Sequence, residues 1–286
     1  MATSALLSPH PGIATDVTDR IVHLRAPNAD EWTYGGTNTW LLAGSTGRCI
    51  IVDPGVSDHD HLGAVQHVAR QHGWTITAVA LTHDHEDHSD GARELAASAQ
   101  CPIIARSRAF ADVVLEDDVD LAEFGVDARA LLTPGHSDDS VCFDLDGTHL
   151  VTGDTLLGGH SSGVYGDYGD YLRSLERLAT LTARRAVVGL PGHGSIIADT
   201  SAAALQVLAI RRRRAQDVRI AIADRPTTTA AELAAQIYPS VIRFHLPSAT
   251  QMVVGIAGYL LEADEGASPA LRAAYRRLSA ERIEGV

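Results

Sequence analysis

The segment LTHDHEDHSDGA, residues 81–92, places His83, His85, Asp87 and His88 within six positions. Imidazole nitrogens and carboxylate oxygens are the ligands that zinc and other divalent first-row metals take in proteins. His83 and His85, two residues apart, can reach one metal ion from the same face of an extended turn. Asp87 and His88, at the start of the helix predicted next, can reach a second ion. The segment therefore predicts half of a two-metal site.

Three further loops carry one candidate ligand each. His136 stands in TPGHSDDS, Asp154 in TGDT and His193 in PGHGS. Side chains just beyond the carboxyl ends of strands can converge on one edge of an α/β sheet, although they are far apart in sequence. Five histidines and two aspartates exceed the needs of one tetrahedral ion and suit two ions that share a bridging carboxylate. Each of the four loops follows a strand-like apolar run, and these runs are Ala78–Leu81, Arg129–Leu132, His149–Val151 and Ala186–Leu190.

The elements that must position these loops are strand-like runs alternating with helix-like segments. Further strand-like runs are Thr39–Leu42, Cys49–Val52, Pro102–Ala105 and Val141–Leu145. Apolar residues recur at helical spacing in His59–His72, Gly91–Ser98 and Tyr171–Leu181. This alternation predicts an α/β fold.

The chain becomes helical after about residue 200. Thr229 followed by Glu232 forms a capping box, which marks the start of one helix. We predict a catalytic domain over residues 1–204 and a small helical or winged-helix-like module over residues 205–286. The other helices of this module are predicted over Ser201–Ala223, from Ser248 to Gly266 and over Pro269–Ile283.

The composition excludes several classes of partner. A formal net charge of −13 weighs against a nucleic-acid-binding surface, because phosphate neutralisation needs clustered cations. The run Arg211–Arg214 winds around a full helical turn, so we favour a solvated face, with a phosphate or RNA contact as the alternative. The helix from Ser248 lacks arginine up to Leu261, which argues against DNA. No apolar run reaches the ~20 residues that span a bilayer, and three scattered cysteines suit reduced thiols, so we expect a cytoplasmic protein without a membrane partner.

Taken in order, HDHEDH, TPGHS, TGDT and PGHG resemble the motifs of the metallo-β-lactamase-fold hydrolases, over roughly residues 30–200. The resemblance implies an α/β fold, the four-layer αββα sandwich of that family. It also implies two divalent metal ions, with Zn²⁺ expected and Mn²⁺ or Fe as alternatives. His83, His85 and His136 would hold one ion and Asp87, His88 and His193 the other, with Asp154 bridging. Asp53, in the IVDPG turn, would steady these ligands from behind.

Weaker parts of the resemblance concern the substrate and the tail. GGTNT resembles an element at the edge of the site, which makes Asn38 a candidate substrate-binding residue. The segment after TGDT approaches the metals in the family, so His160, Tyr165 and Tyr168 are candidate substrate contacts, with simple packing as the alternative. The tail is similar to the winged-helix tail of the LACTB-like subgroup, which includes endoribonucleases and acyl-carrier-protein thioesterases.

Two neighbouring metal ions lower the pKa of a bridging water and hold it as a hydroxide nucleophile. Asp87 could orient that nucleophile or shuttle a proton, which makes it the candidate catalytic residue. Asp154 at the bridging position argues against β-lactam hydrolysis, and its 39-position separation from His193 leaves no room for the β-CASP domain of RNA-processing relatives.

Three functions remain open on the sequence. The preferred one is a zinc-dependent hydrolase that cleaves a thioester, of acyl-carrier or coenzyme A type, or a lactone. The second is a metal-dependent endoribonuclease acting on single-stranded RNA, and the third is a non-catalytic binding protein. The expected partner is a small-molecule or carrier-bound acyl substrate, and a homodimer is also compatible with the sequence.

Overall fold

A computed structural model describes residues 7–8, 10–239 and 245–281 of the chain. The strands are β1 Thr15–Asp16, β2 Ile21–Arg25, β3 Asn38–Ala43, β4 Arg48–Val52, β5 Thr75–Ala80, β6 Ile103–Ala105, β7 Val113–Val114, β8 Val119–Asp120, β9 Ala128–Leu132, β10 Val141–Leu145, β11 His149–Gly153 and β12 Val188–Pro191. The helices are α1 His59–Gln71, α2 Glu86–Ser89, α3 Ala92–Ala99, α4 Tyr168–Thr182, α5 Thr200–Asp224, α6 Ala230–Ile237, α7 Leu246–Ala263 and α8 Pro269–Ser279.

The chain divides into two compact units, and the division does not follow the sequence order. The first unit comprises residues 1–133, 139–162 and 180–203. The second comprises residues 134–138, 163–179 and 204–286. The proposed domain boundary at residues 204–205 stays a prediction.

Two β-sheets make up the first unit. A seven-stranded sheet has the order β1 to β7, antiparallel from β1 to β4 and parallel from β4 to β7. A five-stranded sheet has the order β12-β11-β10-β9-β8, in which only the β11–β12 pair is parallel. The predicted α/β sandwich of two sheets with helices is confirmed.

The core of the first unit lies on both faces of the seven-stranded sheet. Trp40 and Leu42 of β3 pack with Phe143 and Val151 of the second sheet in one apolar layer. Neighbouring side chains, such as Leu41, face the opposite way and pack with residues of α1 and α3. Because both faces of the sheet are covered, β3 is buried along its whole length and shows no polar–apolar alternation.

The described residues of the second unit after position 204 are mainly helical, and the predicted C-terminal helices are present. The capping box is confirmed, because the Thr229 hydroxyl accepts from the Glu232 N–H and the Glu232 carboxylate accepts from the Thr229 N–H. The described residues of the tail, 205–239 and 245–281, include no strand, so a winged helix is not confirmed. Helix α8 is described to Ser279, and the predicted helix end at position 283 lies outside the described residues. Within the described part of the chain, no helix is long and apolar enough to span a membrane.

The arginine run on α5 is only partly the solvated face that the sequence predicted. Arg212 and Arg213 are exposed, and Arg212 pairs with Glu176. Arg211 is buried instead, with its guanidinium 5.5 Å from the centre of the Tyr171 ring and one nitrogen 3.0 Å from the Met252 sulfur. The prediction was wrong for Arg211, because an aromatic face and a polarisable sulfur offset the loss of water around its charge.

Candidate metal centre

The HDHEDH segment connects β5 to a short helix at the edge of the first sheet. Strand β5 ends at Ala80, and α2 begins at Glu86 with His85 as its N-cap residue. His83 Nε2 lies 3.0 Å from His85 Nδ1, so the two imidazoles lie side by side. Asp87 and His88 both lie in the single turn that α2 makes. The segment thus brings all four predicted ligands to the same edge.

Asp154 and His193 join this cluster from the second sheet. The ligand atoms of His83, His88 and Asp154 lie within 4.8 Å of one another, and so do those of Asp87, His88 and His193. His193 Nε2 is 3.0 Å from Asp87 Oδ2 and 3.2 Å from His88 Nε2. The Nε2 atoms of both histidines also lie 3.5 Å from a carboxylate oxygen of Asp154.

The chemistry of this donor set fits a divalent cation. His88 Nε2 and His193 Nε2 face each other at 3.2 Å, so only one proton fits between them. Carboxylate oxygens of Asp87 and Asp154 approach the same two nitrogens. Nitrogen and oxygen atoms that converge with their lone pairs are what a zinc-type ion requires. The arrangement therefore satisfies the residue types and the proximity that a metal site needs.

Asp53 fixes the orientation of His88. The carboxylate of Asp53 accepts from the Thr82 N–H at 2.8 Å and from the Thr82 hydroxyl at 2.7 Å. It also lies 2.9 Å from His88 Nδ1, at full burial of both side chains. A carboxylate can only accept, so Nδ1 of His88 donates to Asp53, and Nε2 is the ring nitrogen that faces the cluster. This contact is the one that the predicted supporting role of Asp53 requires.

The clustered charges shift the pKa values strongly. Burial alone would raise the pKa of Asp87, but the charge of His88 and the hydrogen bond from His193 outweigh burial and hold that pKa well below its usual value. Burial works against the charged form of His88, yet the surrounding carboxylates, Asp87 foremost, raise its pKa well above the usual value. Asp87 is therefore a carboxylate across the whole physiological pH range.

The glycines on both sides of His193 allow its loop to lie close to the loop that carries Asp154 and Gly158. A Cβ on Gly192 would lie 2.3 Å from an oxygen of Asp154 and 2.7 Å from the ring of His88. Gly194 has a φ of +83°, and a Cβ there would lie 2.1 Å from the carbonyl oxygen of Gly158. In the PGHG motif, therefore, only glycine fits at the two positions that flank the candidate ligand His193.

Asn38, a candidate substrate-binding residue, directs its amide into the protein. Its Nδ2 donates to the carbonyl oxygens of Pro191, at 2.9 Å, and Gly194, at 3.1 Å. Its Oδ1 lies 2.8 Å from Nε2 of the buried His23. The amide therefore connects both ends of the turn that carries His193. A direct role of Asn38 in substrate binding stays a prediction.

His136 lies in residues 134–138, which belong to the second unit. Its Nδ1 is 3.1 Å from the carbonyl oxygen of Gly163, and its ring meets the Tyr165 ring edge-on at 5.6 Å between centres. A carbonyl only accepts, so Nδ1 carries the proton and Nε2 keeps the lone pair. Gly135 before it has a φ of +138°, and a Cβ there would lie 2.4 Å from the Tyr171 backbone.

The other candidate substrate contacts have different environments. His160 stacks on Tyr34 at 3.7 Å between ring centres, and the Tyr34 ring lies 6.3 Å from that of His193. Within the second unit, the Tyr165 hydroxyl is 3.5 Å from the hydroxyl of Ser248. Tyr168 is 1% exposed, and its hydroxyl donates to the carbonyl oxygen of Arg211 at 2.8 Å, which ties α4 to α5.

Sequence reasoning missed four residues that support the site. They are Thr82 and Thr37, which bond to Asp53 and to the Asp87 carbonyl, His23, which bonds to Asn38, and Tyr34, which stacks on His160. Two of them had a signal in the sequence, because Thr82 directly precedes His83 and Thr37 stands in GGTNT beside Asn38. His23 and Tyr34 lie before β3, outside any of the motifs.

Comparison with known proteins gives the family. A family model described as the Metallo-beta-lactamase superfamily matches residues 32–111. The chain is similar to the lactamase-like protein aptB of Emericella nidulans, with 34% identity over 72% of this chain and 66% of that protein. It is also similar to an atrochrysone carboxyl ACP thioesterase of Passalora fulva, with 30% identity over 78% of this chain and 69% of that protein.

The matched part of the chain therefore spans about two thirds of these relatives' own length. Among solved structures, a beta-lactamase domain protein from Burkholderia ambifaria matches with a TM-score of 0.74, at 20% identity and over 90% of both chains. At that identity the likeness concerns the fold alone. Motifs, fold and relatives agree: the chain belongs to the metallo-beta-lactamase superfamily.

Proposed function

We propose that the protein is a metal-dependent hydrolase that cleaves the thioester of an acyl group carried by an acyl-carrier protein or by coenzyme A. The observation that carries this proposal is the convergence of Asp87, His88 and His193 with Asp154. The thioester assignment is supported by relatives named atrochrysone carboxyl ACP thioesterase, from Passalora fulva and from Aspergillus fumigatus, at 30% and 31% identity.

The proposed metal site holds two divalent ions, with Zn²⁺ expected and Mn²⁺ or Fe as alternatives. Asp87, His88 and His193 would hold one ion, His83 and His85 would hold the other together with His136, and Asp154 would be shared by both. The lone pair on His136 Nε2 supports its inclusion.

The residues of the chain divide the proposed chemistry among them. When bound, two divalent ions supply Lewis acidity and lower the pKa of a water at the site. Asp87 stays ionised at every relevant pH, so its carboxylate can orient the attacking water by accepting a hydrogen bond from it. Asp53 keeps Nε2 of His88 directed at the site.

Hydrolysis of a thioester also suits a site that offers the leaving group no strong proton donor. A thiol has a pKa of about 8.5, so the leaving thiolate needs little help from a proton donor. The alkoxide that leaves an RNA phosphodiester is far more basic and needs a positioned acid. The Asp87 carboxylate, whose pKa the neighbouring histidines hold well below its usual value, is a poor proton donor.

The test is a side-by-side turnover assay of the metal-loaded protein on an acyl thioester, a lactone and single-stranded RNA. We expect thioester turnover, two metal ions per chain by elemental analysis, and a loss of turnover of more than about a hundredfold in His88→Ala. His59→Ala, at a side chain that is 94% exposed, is the matched control and should behave as the wild type. Cleavage of RNA without thioester turnover would overturn the substrate, one bound ion would overturn the dinuclear site, and no turnover of any substrate would favour a binding protein.

A further inference from the structure

A groove of about 460 Å³ opens beside the candidate ligand Asp87, and the proposed chemistry does not yet use it. Its walls come from the loop between β2 and β3, from the loop between β4 and α1, and from α2 with the residue that follows it. All of these residues belong to the first unit. The groove is large enough for a substituted aromatic ring. We call it the Trp32 groove, and its lining residues are Asn28, Asp30, Trp32, Thr33, Val56, Glu86, Asp87 and Asp90.

The loop that carries Trp32 is held in place by its own side chains. The Asp30 carboxylate accepts from the backbone N–H groups of Trp32 and Thr33, both at 2.7 Å. Further along, the Thr37 hydroxyl donates to the carbonyl oxygen of Asp87 at 2.9 Å. The loop is therefore fixed locally and bonded to a residue of the candidate metal site, which is the arrangement that precise placement of a substrate needs.

Trp32 presents a large apolar face in this fixed loop. Its side chain is 45% exposed, whereas Trp40 of β3 is fully buried. An indole that lines a groove next to a reactive centre offers a flat surface for a planar group. Aromatic rings attract each other beyond the effect of area burial alone.

The charged residues that line the groove are all carboxylates. Asp30, Glu86 and Asp90 line it, and none of the lining residues is basic. Burial alone would raise the pKa of Asp30, but the N–H groups of Thr33 and Trp32 outweigh it and hold that pKa below its usual value. Carboxylates accept hydrogen bonds from hydroxyl groups and repel carboxylates and phosphates.

We propose that the Trp32 groove binds the acyl part of the substrate and selects an uncharged aromatic acyl group that carries hydroxyl groups. The ring stacks on Trp32, and the hydroxyl groups donate to the carboxylates of Asp30, Glu86 or Asp90. Anionic acyl groups, and the phosphate of a carrier arm, are kept out of this groove by charge. The proposal rests on the thioesterase function and deepens it by naming the substrate class.

The test uses four thioesters that share N-acetylcysteamine as the leaving group and differ in the acyl part: acetyl, succinyl, benzoyl and 3,5-dihydroxybenzoyl. For each substrate, kcat/KM of a variant is divided by that of the wild type, so the intrinsic reactivity of the acyl group cancels. Trp32→Ala should lower kcat/KM about tenfold for both aromatic substrates and change that for acetyl by less than about twofold. Trp32→Phe should restore most of the loss, and Glu86→Gln should raise kcat/KM for succinyl alone. Ile210→Ala, at a 49% exposed side chain of α5, is the control and should leave all four ratios unchanged.

A binding measurement separates failure of the groove from failure of the thioesterase function. The amide analogue of the dihydroxybenzoyl thioester cannot turn over in this assay, and calorimetry measures its Kd in the wild type and in Trp32→Ala. A Kd about tenfold higher in Trp32→Ala than in the wild type supports acyl binding in the Trp32 groove. If no thioester is hydrolysed in that case, only the proposed thioesterase function is refuted. Thioester turnover with equal ratios for aromatic and acetyl substrates in Trp32→Ala overturns the groove and leaves the function standing. No binding of the amide by the wild type also overturns it.

Discussion

Substitution of Asn38 should weaken the metal site without touching any proposed ligand. The amide of Asn38 donates to the carbonyl oxygens of Pro191 and Gly194, which flank the turn that holds His193. Because both partners are carbonyls, the nitrogen of the amide must face the turn, and the amide oxygen must accept from His23. His23 therefore carries its proton on Nε2, and the orientation of the whole network is determined.

The magnitude follows from which groups lose a partner in Asn38→Ala. The buried Nε2–H of His23 loses its acceptor, and the Gly194 carbonyl loses a donor. The Pro191 carbonyl keeps a hydrogen bond from Trp40 Nε1 at 3.1 Å. A buried polar group left without a partner costs about 1–3 kcal/mol, so two such groups should lower the free energy of unfolding by about 3 kcal/mol. For a chain of this size, that loss corresponds to a Tm lower by roughly 6–12 °C.

The assay combines thermal unfolding of the metal-free protein with a metal titration. Asn38→Ala should raise the Kd of the ion bound by His193 about 10–100-fold, as the loss of supporting contacts does at other metal sites. Asn38→Asp should be worse, because an acceptor then faces two carbonyl oxygens while the contact to His23 is kept. Gln66→Ala, which removes an exposed amide bonded to Ser98, is the control. A lower Tm with an unchanged metal Kd would refute the reasoning, since Asn38 would then stabilise the fold without positioning His193.

Three further predictions use the same geometry. Asp53→Asn replaces the acceptor for His88 Nδ1 by an amide that also donates, so the metal Kd should rise about 10–100-fold in a titration, with little change expected in the far-ultraviolet circular dichroism spectrum. In thermal unfolding, Gly194→Ala should lower Tm by much more than Gly159→Ala does. Both glycines have a positive φ, but only at position 194 would a Cβ clash with backbone atoms. Equal decreases in Tm would mean that backbone strain alone determines the loss. Burial, the largest cause, lowers the pKa of His23 from 6.5 to about 4. Between these two pH values the imidazole is protonated in the unfolded chain and neutral in the folded chain. The free energy of unfolding therefore falls as the pH drops from 6.5 to 4. His23→Gln should remove roughly 3 kcal/mol of that decline in denaturant titrations at several pH values, and parallel pH profiles for the two proteins would contradict the assignment.

The loops with candidate ligands could be predicted from the sequence because each ligand directly follows an apolar run. Strand β5 precedes His83, and β12 precedes His193, as the runs Ala78–Leu81 and Ala186–Leu190 indicated. Strand β2 was missed, since His23 and Arg25 interrupt its apolar pattern. His23 is nonetheless buried, and its partner Asn38 lies 15 residues further along the chain. A local pattern contains no information about such a partner.

Short edge strands and buried charges were also beyond the sequence. Strands β7 and β8 have two residues each, so they offer no periodicity to detect. Arg211 was grouped with its exposed neighbours, although its guanidinium packs against Tyr171, a residue of another helix. For Arg211 the decisive contact is made with a segment that is distant in sequence, and only the folded chain brings the two together.

The candidate ligands and the Trp32 groove differ in how far each could be predicted, and the reason is physical. Metal coordination restricts residue type and spacing, so histidines such as His83 and His85 form a recognisable motif. A groove for an acyl group restricts only shape and polarity, which many residues can supply, and Trp32 stands in no motif. The net negative charge of the chain argued against RNA as a substrate, but it did not show where on the protein that charge lies. Asp30 and Glu86 place part of that negative charge in the Trp32 groove beside Asp87, where the proposed subsite would repel a phosphate and hold a neutral ring with hydroxyl groups.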